Sequence, residues 1–232
     1  MKKIKMMVMA VLMVVSSLYI KQNQLKGQNW IKQYLPIDSL NYKIIDYTGY
    51  SVAFDEANCI THYSIYLLTK NELMTKQIER MRNFTNEQEC DCNRNTNYTN
   101  TGYDRGHLTP FADKSYTNNT AYESMSMCNI VPMTVIVNRK YWLQIENEVR
   151  KTCLRIDSLI VITGTVEAAA NMLQSSGLSR KLYKLIYSLK EKKFTIWICN
   201  NSRLESDIDM RMISLAEWKK YTKMKLNNNY KQ

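Results

Sequence analysis

The chain has 232 residues, 45% of them hydrophobic and 23% charged, enough for one sizeable core and the balance of a single globular domain. No internal repeat occurs, so a solenoid or propeller array is excluded. The formal net charge is +11, which favours a polyanionic partner such as nucleic acid, an anionic surface or a cell-wall polymer. A bias toward Lys and Asn accounts for that charge about as well, so charge by itself selects no function.

In chain order, Lys2, Lys3 and Lys5 precede an apolar run from Met6 to Ile20. This is the pattern of a signal peptide or an N-terminal anchor over residues 1–27, and it is short for a membrane span, which needs roughly twenty apolar residues. Export to the periplasm, the cell surface or the medium is expected. Residues 28–45 read as a polar linker and lead-in, residues 46–224 as the domain, and residues 225–232 as a tail, frayed around Asn227 to Asn229. Asn41 to Phe54 and Ile60 to Leu68 read as strands, with aromatic and β-branched residues between turn signals. Asn83 to Thr101 is dense in Asn and Thr without periodicity, a long loop of the kind that borders a substrate groove.

Next comes Tyr103-Asp104-Arg105-Gly106-His107-Leu108, which holds one of only two histidines, His62 being the other. In an extended strand Arg105 and His107 project to the same face. A guanidinium beside an imidazole suits a phosphate, since one holds the anion and the other moves a proton. Gly106, without a side chain, admits a close neighbour. Val135 to Lys151 then reads as a helix with an apolar stripe of Trp142, Ile145 and Val149. Asn138, Trp142 and Glu146 fall in one row at i, i+4 and i+8. An amide and a carboxylate two turns apart suit hydrated Mg²⁺, which keeps most of its waters and takes few protein ligands. A solvated polar face is the plainer account of either residue taken alone.

Strands are expected at Leu159 to Val166, Leu182 to Leu189 and Lys193 to Cys199. Ser214-Leu215-Ala216-Glu217 is a capping box that opens a final helix reaching about Met224. Strands and helices mixed without βαβ regularity give an α+β class. Six cysteines, at 59, 90, 92, 128, 153 and 199, permit disulfides in an exported chain. Cys90 and Cys92 stand too close to be partners, and neither Cys-x-x-Cys nor His-x₃₋₅-His is present to suggest zinc.

These motifs together resemble the DNA/RNA non-specific endonucleases, the endonuclease G-like family with a ββα-metal (His-Me finger) site. The family's Asp-Arg-Gly-His-Leu-x-Pro is similar to Asp104 through Pro110, and its Asn-Ile-x-Pro-Gln to Asn129-Ile130-Val131-Pro132-Met133. Its metal-binding Asn, aromatic and Glu resemble Asn138, Trp142 and Glu146, and Arg80 stands where it carries an arginine before Asn83-Phe84. The likeness runs from about Asp46 to about Lys220, with Met133 in place of the usual glutamine. It implies a mostly antiparallel central sheet with flanking helices. It also implies sugar-non-specific hydrolysis of DNA and RNA, with Mg²⁺ as cofactor and Mn²⁺ as a substitute.

The roles it implies are general base for His107, metal ligand for Asn138, and a hold on metal-bound waters for Glu146. Arg105 and Arg80 would face transition-state charge, and Asn129 would touch His107 or the metal waters. Asp104 would brace the hairpin. The rival readings are a non-catalytic basic nucleic-acid-binding surface protein and a disulfide-held adhesive protein.

Overall fold

The computed structural model describes residues 31–37, 42–166 and 181–230. The N-terminal signal or anchor, and the first residues of the expected linker, lie outside the described residues. Seven strands form one antiparallel sheet in the order β1-β2-β3-β6-β7-β8-β9, where β1 is Lys43–Asp46, β2 Ser51–Asp55 and β3 Ile60–Thr69. The remaining members are β6 Ser158–Val166, β7 Lys181–Ser188, β8 Phe194–Asn200 and β9 Met210–Met212. A separate two-stranded sheet pairs β4, Tyr103–His107, with β5, Ile130–Thr134.

The central strands are apolar at nearly every position because both faces of the sheet are covered. Side chains alternate between the two sides. Leu159 and Val161 of β6 join one cluster with Leu108, Val131, Trp142, Ile145 and Val149. Ile160 and Ile162 join the other, with Tyr183, Trp218 and Tyr230. Gly164 is obligatory at the crossing of β3, β6 and β7, since an added Cβ would lie 2.5 Å from the His62 carbonyl oxygen and 2.6 Å from the Tyr183 hydroxyl.

The helices are α1 Lys70–Met74, α2 Phe111–Lys114, α3 Asn118–Ser124, α4 Leu143–Ile156 and α5 Leu215–Thr222. The expected helix from Val135 to Lys151 is present but differs in form. It opens at Val135 as expected, widens to a π-helical stretch over Val137–Trp142, and continues as α4 to Ile156. A wider turn here drops Val137 and Trp142 into the core. The capping serine is as read, with Ser214 accepting a hydrogen bond from the Glu217 amide ahead of α5.

Three expectations are corrected. Asn41 to Phe54 is a hairpin of β1 and β2 and not one strand, because the Tyr47 amide donates to the Tyr50 carbonyl and reverses the chain. The lead-in contributes to the core, with Ile31 and Tyr34 buried, and β1 begins inside it. The tail does not fray: Asn227 and Asn229 donate to the Gln33 carbonyl, and the Tyr230 hydroxyl donates to the Tyr34 carbonyl at 2.6 Å. Apolar burial of Tyr230 against Tyr34, Tyr187 and Phe194 outweighs the polar character of its neighbours.

Two disulfides are present, Cys59–Cys92 and Cys90–Cys128, while Cys153 and Cys199 are buried thiols. Cys90 and Cys92 thus pair elsewhere, as their spacing requires.

Because Tyr230 ties the C-terminal residues to the segment around Tyr34, Tyr230→Ala should cost roughly 3 kcal/mol of unfolding free energy in urea titration. A change below 0.5 kcal/mol would show that the tail contributes nothing to the fold.

Candidate active site

The hairpin pairs His107 with Ile130, Gly106 with Val131 and Arg105 with Pro132. An added Cβ at Gly106 would overlap the Met133 side chain, so glycine here admits a close neighbour, as the sequence suggested. Asn201 fastens the hairpin to the end of β8: its Oδ1 accepts from the Thr134 amide and its Nδ2 donates to the Pro132 carbonyl. Helix α4 packs its Ile145, Val149 and Cys153 side into the core below. The end of β4, the π-helical turn and α4 frame one cavity of about 530 Å³, closed by residues 77–80 and by the segment around α2.

Its wall includes His107, Arg80, Asn138, Arg139, Glu146 and Arg150. Four of the six residues singled out from sequence therefore meet in one place: His107, Arg80, Asn138 and Glu146. Arg105 and Asn129 do not line it. Arg105 shares a face with His107, and both approach the Phe84 ring, at 5.8 and 5.4 Å. Its guanidinium is also 5.5 Å from the Tyr98 ring, and Nη2 donates to the Asn95 carbonyl at 2.7 Å.

Asn129 corrects an expectation. Its Oδ1 accepts from the Thr109 amide at 2.8 Å, and its Nδ2 donates to the Thr109 and Ser124 carbonyls at 2.8 and 2.9 Å. None of these bonds reaches His107. A fully buried amide must satisfy itself on nearby backbone, and Asn129 does so by clamping the chain two residues beyond the histidine.

His107 is 8% exposed, and its Nε2 has no hydrogen-bond partner among the described residues. Burial, with the Arg80 charge adding to it, pushes the imidazole down to about 3. The ring is therefore neutral at pH 7 and open to accept a proton. His62, the other histidine, lies against Tyr42 with ring centroids 4.5 Å apart and does not line the cavity.

On the facing helix, the Asn138 amide donates through Nδ2 to Asp104 Oδ2 at 3.0 Å. That fixes the amide orientation, and its Oδ1 accepts no hydrogen bond from the described residues. Asp104 also takes a fork from Arg139, Nε to Oδ2 and Nη2 to Oδ1, both 2.8 Å. Burial opposes ionisation of Asp104, but the hydrogen bonds from Arg139 and Asn138 outweigh it and hold the carboxyl below its usual range. Asp104 thus bridges β4 to the π-helical turn, a different task from bracing the hairpin.

Burial pushes Glu146 up to about 7, against the opposing pull of Lys184, Arg150 and Arg80. Lys184 is itself buried beneath Trp142, 5.0 Å from its ring, and burial brings it down to about 8. Arg150 Nη2 stands 3.7 Å from Glu146, and its Nη1 donates to Asp113 Oδ1 at 2.8 Å. The Tyr66 hydroxyl closes the chain on Asp113 Oδ2 at 2.8 Å.

Arg150 stands four residues after Glu146, a spacing legible in sequence. Asp104, Arg139 and Asp113 join through tertiary contacts that no local spacing announces.

The donor set fits a hard divalent cation: an amide oxygen and a carboxylate side chain line one cavity. No group of three or more His, Cys, Asp or Glu side chains with metal-binding geometry exists among the described residues. A thiolate or imidazole cage of the zinc type is thus not built here.

The neutral, buried His107 has a consequence for stability. Its folded value lies below the unfolded one, so its contribution is complete above about pH 6.5 and is lost as pH falls toward 3. Urea unfolding between pH 7 and pH 4 should show up to one extra proton taken up on unfolding, a slope His107→Ala removes. Equal slopes in the two proteins would contradict the burial of a neutral ring.

Comparison with known proteins places this arrangement. The profile described as DNA/RNA non-specific endonuclease matches residues 28–232. Human mitochondrial nuclease EXOG is 23% identical over 121 residues, 51% of this chain and 33% of that protein. A nuclease of Nostoc sp. is 33% identical over 67 residues, 29% of this chain and 24% of that protein. The chain thus matches about a third or less of the length of these relatives. A crystal structure of the EndoG/EndoGI complex superposes with TM-score 0.69 at 16% identity, covering 84% of this chain and 88% of that one. That likeness establishes the fold as ββα-metal, α+β.

Proposed function

This chain belongs to the DNA/RNA non-specific endonuclease family, and on that premise we propose that it hydrolyses phosphodiester bonds of DNA and RNA with a divalent metal. One observation carries the reading: His107, Arg80, Asn138 and Glu146 line a single cavity although 66 positions separate the first and last.

His107 is the general base. Its neutral ring, with no hydrogen bond to Nε2 from the described residues, takes the proton from the attacking water. An incoming phosphate brings negative charge beside the imidazole, which raises its proton affinity from the value burial imposes. Arg80, on the same wall, offsets charge gathering on the phosphoryl oxygens, and Arg105 adds its field from beside Phe84. Asn138 Oδ1 would hold Mg²⁺, with Mn²⁺ as substitute, and Glu146 would orient waters around it. Such an ion supplies Lewis-acid stabilisation of the phosphate and of the leaving oxygen. Asp104 holds the Asn138 amide through its Nδ2, which would leave the oxygen for the ion, and Arg150 pairs with Glu146.

The arginines gathered in the cavity suit phosphate, which carries no direct sequence information, and that is consistent with cutting DNA and RNA alike. Export is part of the proposal, supported by the Lys2 to Ile20 pattern and by four cysteines joined in disulfides.

Purified protein should nick plasmid DNA and degrade RNA with Mg²⁺ and stop with EDTA. His107→Ala should lower kcat by about two to four orders of magnitude with the fold intact. Cleavage that persists in EDTA would remove the metal, and a His107→Ala rate near wild type would remove the base. Binding of DNA without any cleavage would favour the basic binding protein instead.

Asn138→Ala should abolish Mg²⁺-dependent cleavage at ordinary metal levels. Glu146→Ala should raise the Mg²⁺ needed for half-maximal rate by about 10–100-fold. An unchanged metal titration for both variants would place the ion elsewhere.

A further inference from the structure

Four of the six cysteines converge on one short segment, and the mechanism above uses none of them. Cys90 ties that segment to Cys128, next to Asn129 and the start of β5, and Cys92 ties it to Cys59 before β3. Apart from the disulfides it is held mainly by side-chain hydrogen bonds, such as Tyr47 to Glu87 and Lys43 to the Glu89 carbonyl. Between residues 86 and 101 only Cys90, Asn93 and Tyr98 are buried. No strand of either sheet runs through it. Asn93 adds two hydrogen bonds, from Nδ2 to the Met127 and Ile130 carbonyls at 2.9 and 3.0 Å. A stretch with so few buried contacts belongs to the low-stability end of a fold unless it is cross-linked.

The same segment supplies the surroundings of Arg105. Asn95 gives the carbonyl that accepts from Nη2 at 2.7 Å, and Tyr98 gives the ring 5.5 Å from the guanidinium. Arg105 Nε is buried and has no hydrogen-bond partner among the described residues, so it is held by this packing while one donor stays unused. A guanidinium fixed between two rings keeps its positive charge at a set place on the strand face it shares with His107.

We propose that the doubly cross-linked loop is the positioning element for Arg105, through the Asn95 carbonyl and the Tyr98 ring, so that phosphodiester cleavage reaches its full rate only with both disulfides closed. The proposal rests on the nuclease reading. Closing each disulfide transfers two electrons and two protons from a pair of thiols to a disulfide-bearing oxidant, which leaves as two thiols. Cys92 is exposed, so the Cys59–Cys92 bond is open to exchange, whereas Cys90 and Cys128 are buried. A chain in a reducing compartment would hold a complete sheet and metal helix but an untethered Arg105. The nuclease would then be silent before it reaches oxidising surroundings.

The test compares oxidised protein with protein reduced until six thiols titrate in a denatured sample of it. Far-UV circular dichroism and Mn²⁺ affinity should be unchanged, since the helix bearing Asn138 does not depend on the loop. The kcat on plasmid DNA should fall about 100-fold and recover with oxidised glutathione. In case reduction loosens the whole fold, Tyr98→Ala with both disulfides closed should also lose about 10-fold or more in kcat, and Tyr98→Phe should keep the wild-type rate. The Arg105 Nε–H resonance should move to the position of an exposed arginine in reduced protein and in Tyr98→Ala. Reduced, folded protein that cuts at the oxidised rate, or Tyr98→Ala that does, would overturn the proposal. Oxidised wild type without any cleavage would instead overturn the nuclease reading, and the arginine resonance would still test the clamp.

Discussion

The carboxylate of Asp104 joins the two halves of the site. It stands on the strand that carries His107 and binds, on the facing helix, both the Asn138 amide and the Arg139 guanidinium. Without that link the hairpin and the helix meet mainly through apolar side chains and a long Val137 amide to Thr134 hydroxyl bond, which fix separation but not amide orientation. One anion accepting three hydrogen bonds sets the helix register, the amide rotamer and the local charge together. The placement of the His107 imidazole relative to the Asn138 amide depends on it.

Beneath this link the protein carries an unusual load of buried charge. Asp113, Lys114 and Lys184 are essentially inaccessible, and Glu146 lies among them. Each is matched: Asp113 by Arg150 and Tyr66, Lys114 by the Leu67 carbonyl and Glu72, Lys184 by Thr163 and the Trp142 ring. Buried ion pairs contribute little net stability, because desolvation consumes most of the Coulombic gain. Their value here is positional, holding Arg150 and Glu146 at the cavity wall. The double-sided sheet supplies the stability that permits this, since apolar burial on both faces carries the fold.

The π-helical turn follows from the same conflict. Val137 and Trp142 are apolar and must reach the core, while Asn138 and Glu146 must reach the cavity. A regular α-helix places i, i+4 and i+8 in a single row, which would carry Trp142 toward the cavity with its neighbours. A widened turn across Val137–Trp142 separates them and leaves the tryptophan over Lys184.

Much of this was legible in the sequence because it is local. Two-residue alternation put Arg105 and His107 on one strand face, apolar spacing found the helix beyond, and unbroken apolar runs marked the central strands. The spacing of Cys90 and Cys92 ruled out their mutual bond, but not which partners they would take. Other features were decided only by the tertiary structure, because they rest on groups far apart in the chain. Asp104 meets Asn138 across 34 positions, and Tyr230 folds back on Tyr34 across 196. Asn129 turns to Thr109, not to the histidine, because a buried amide bonds to whatever backbone encloses it. Residue type and spacing name the chemistry a chain can perform; burial and long-range contact decide which way each group points and what charge it keeps.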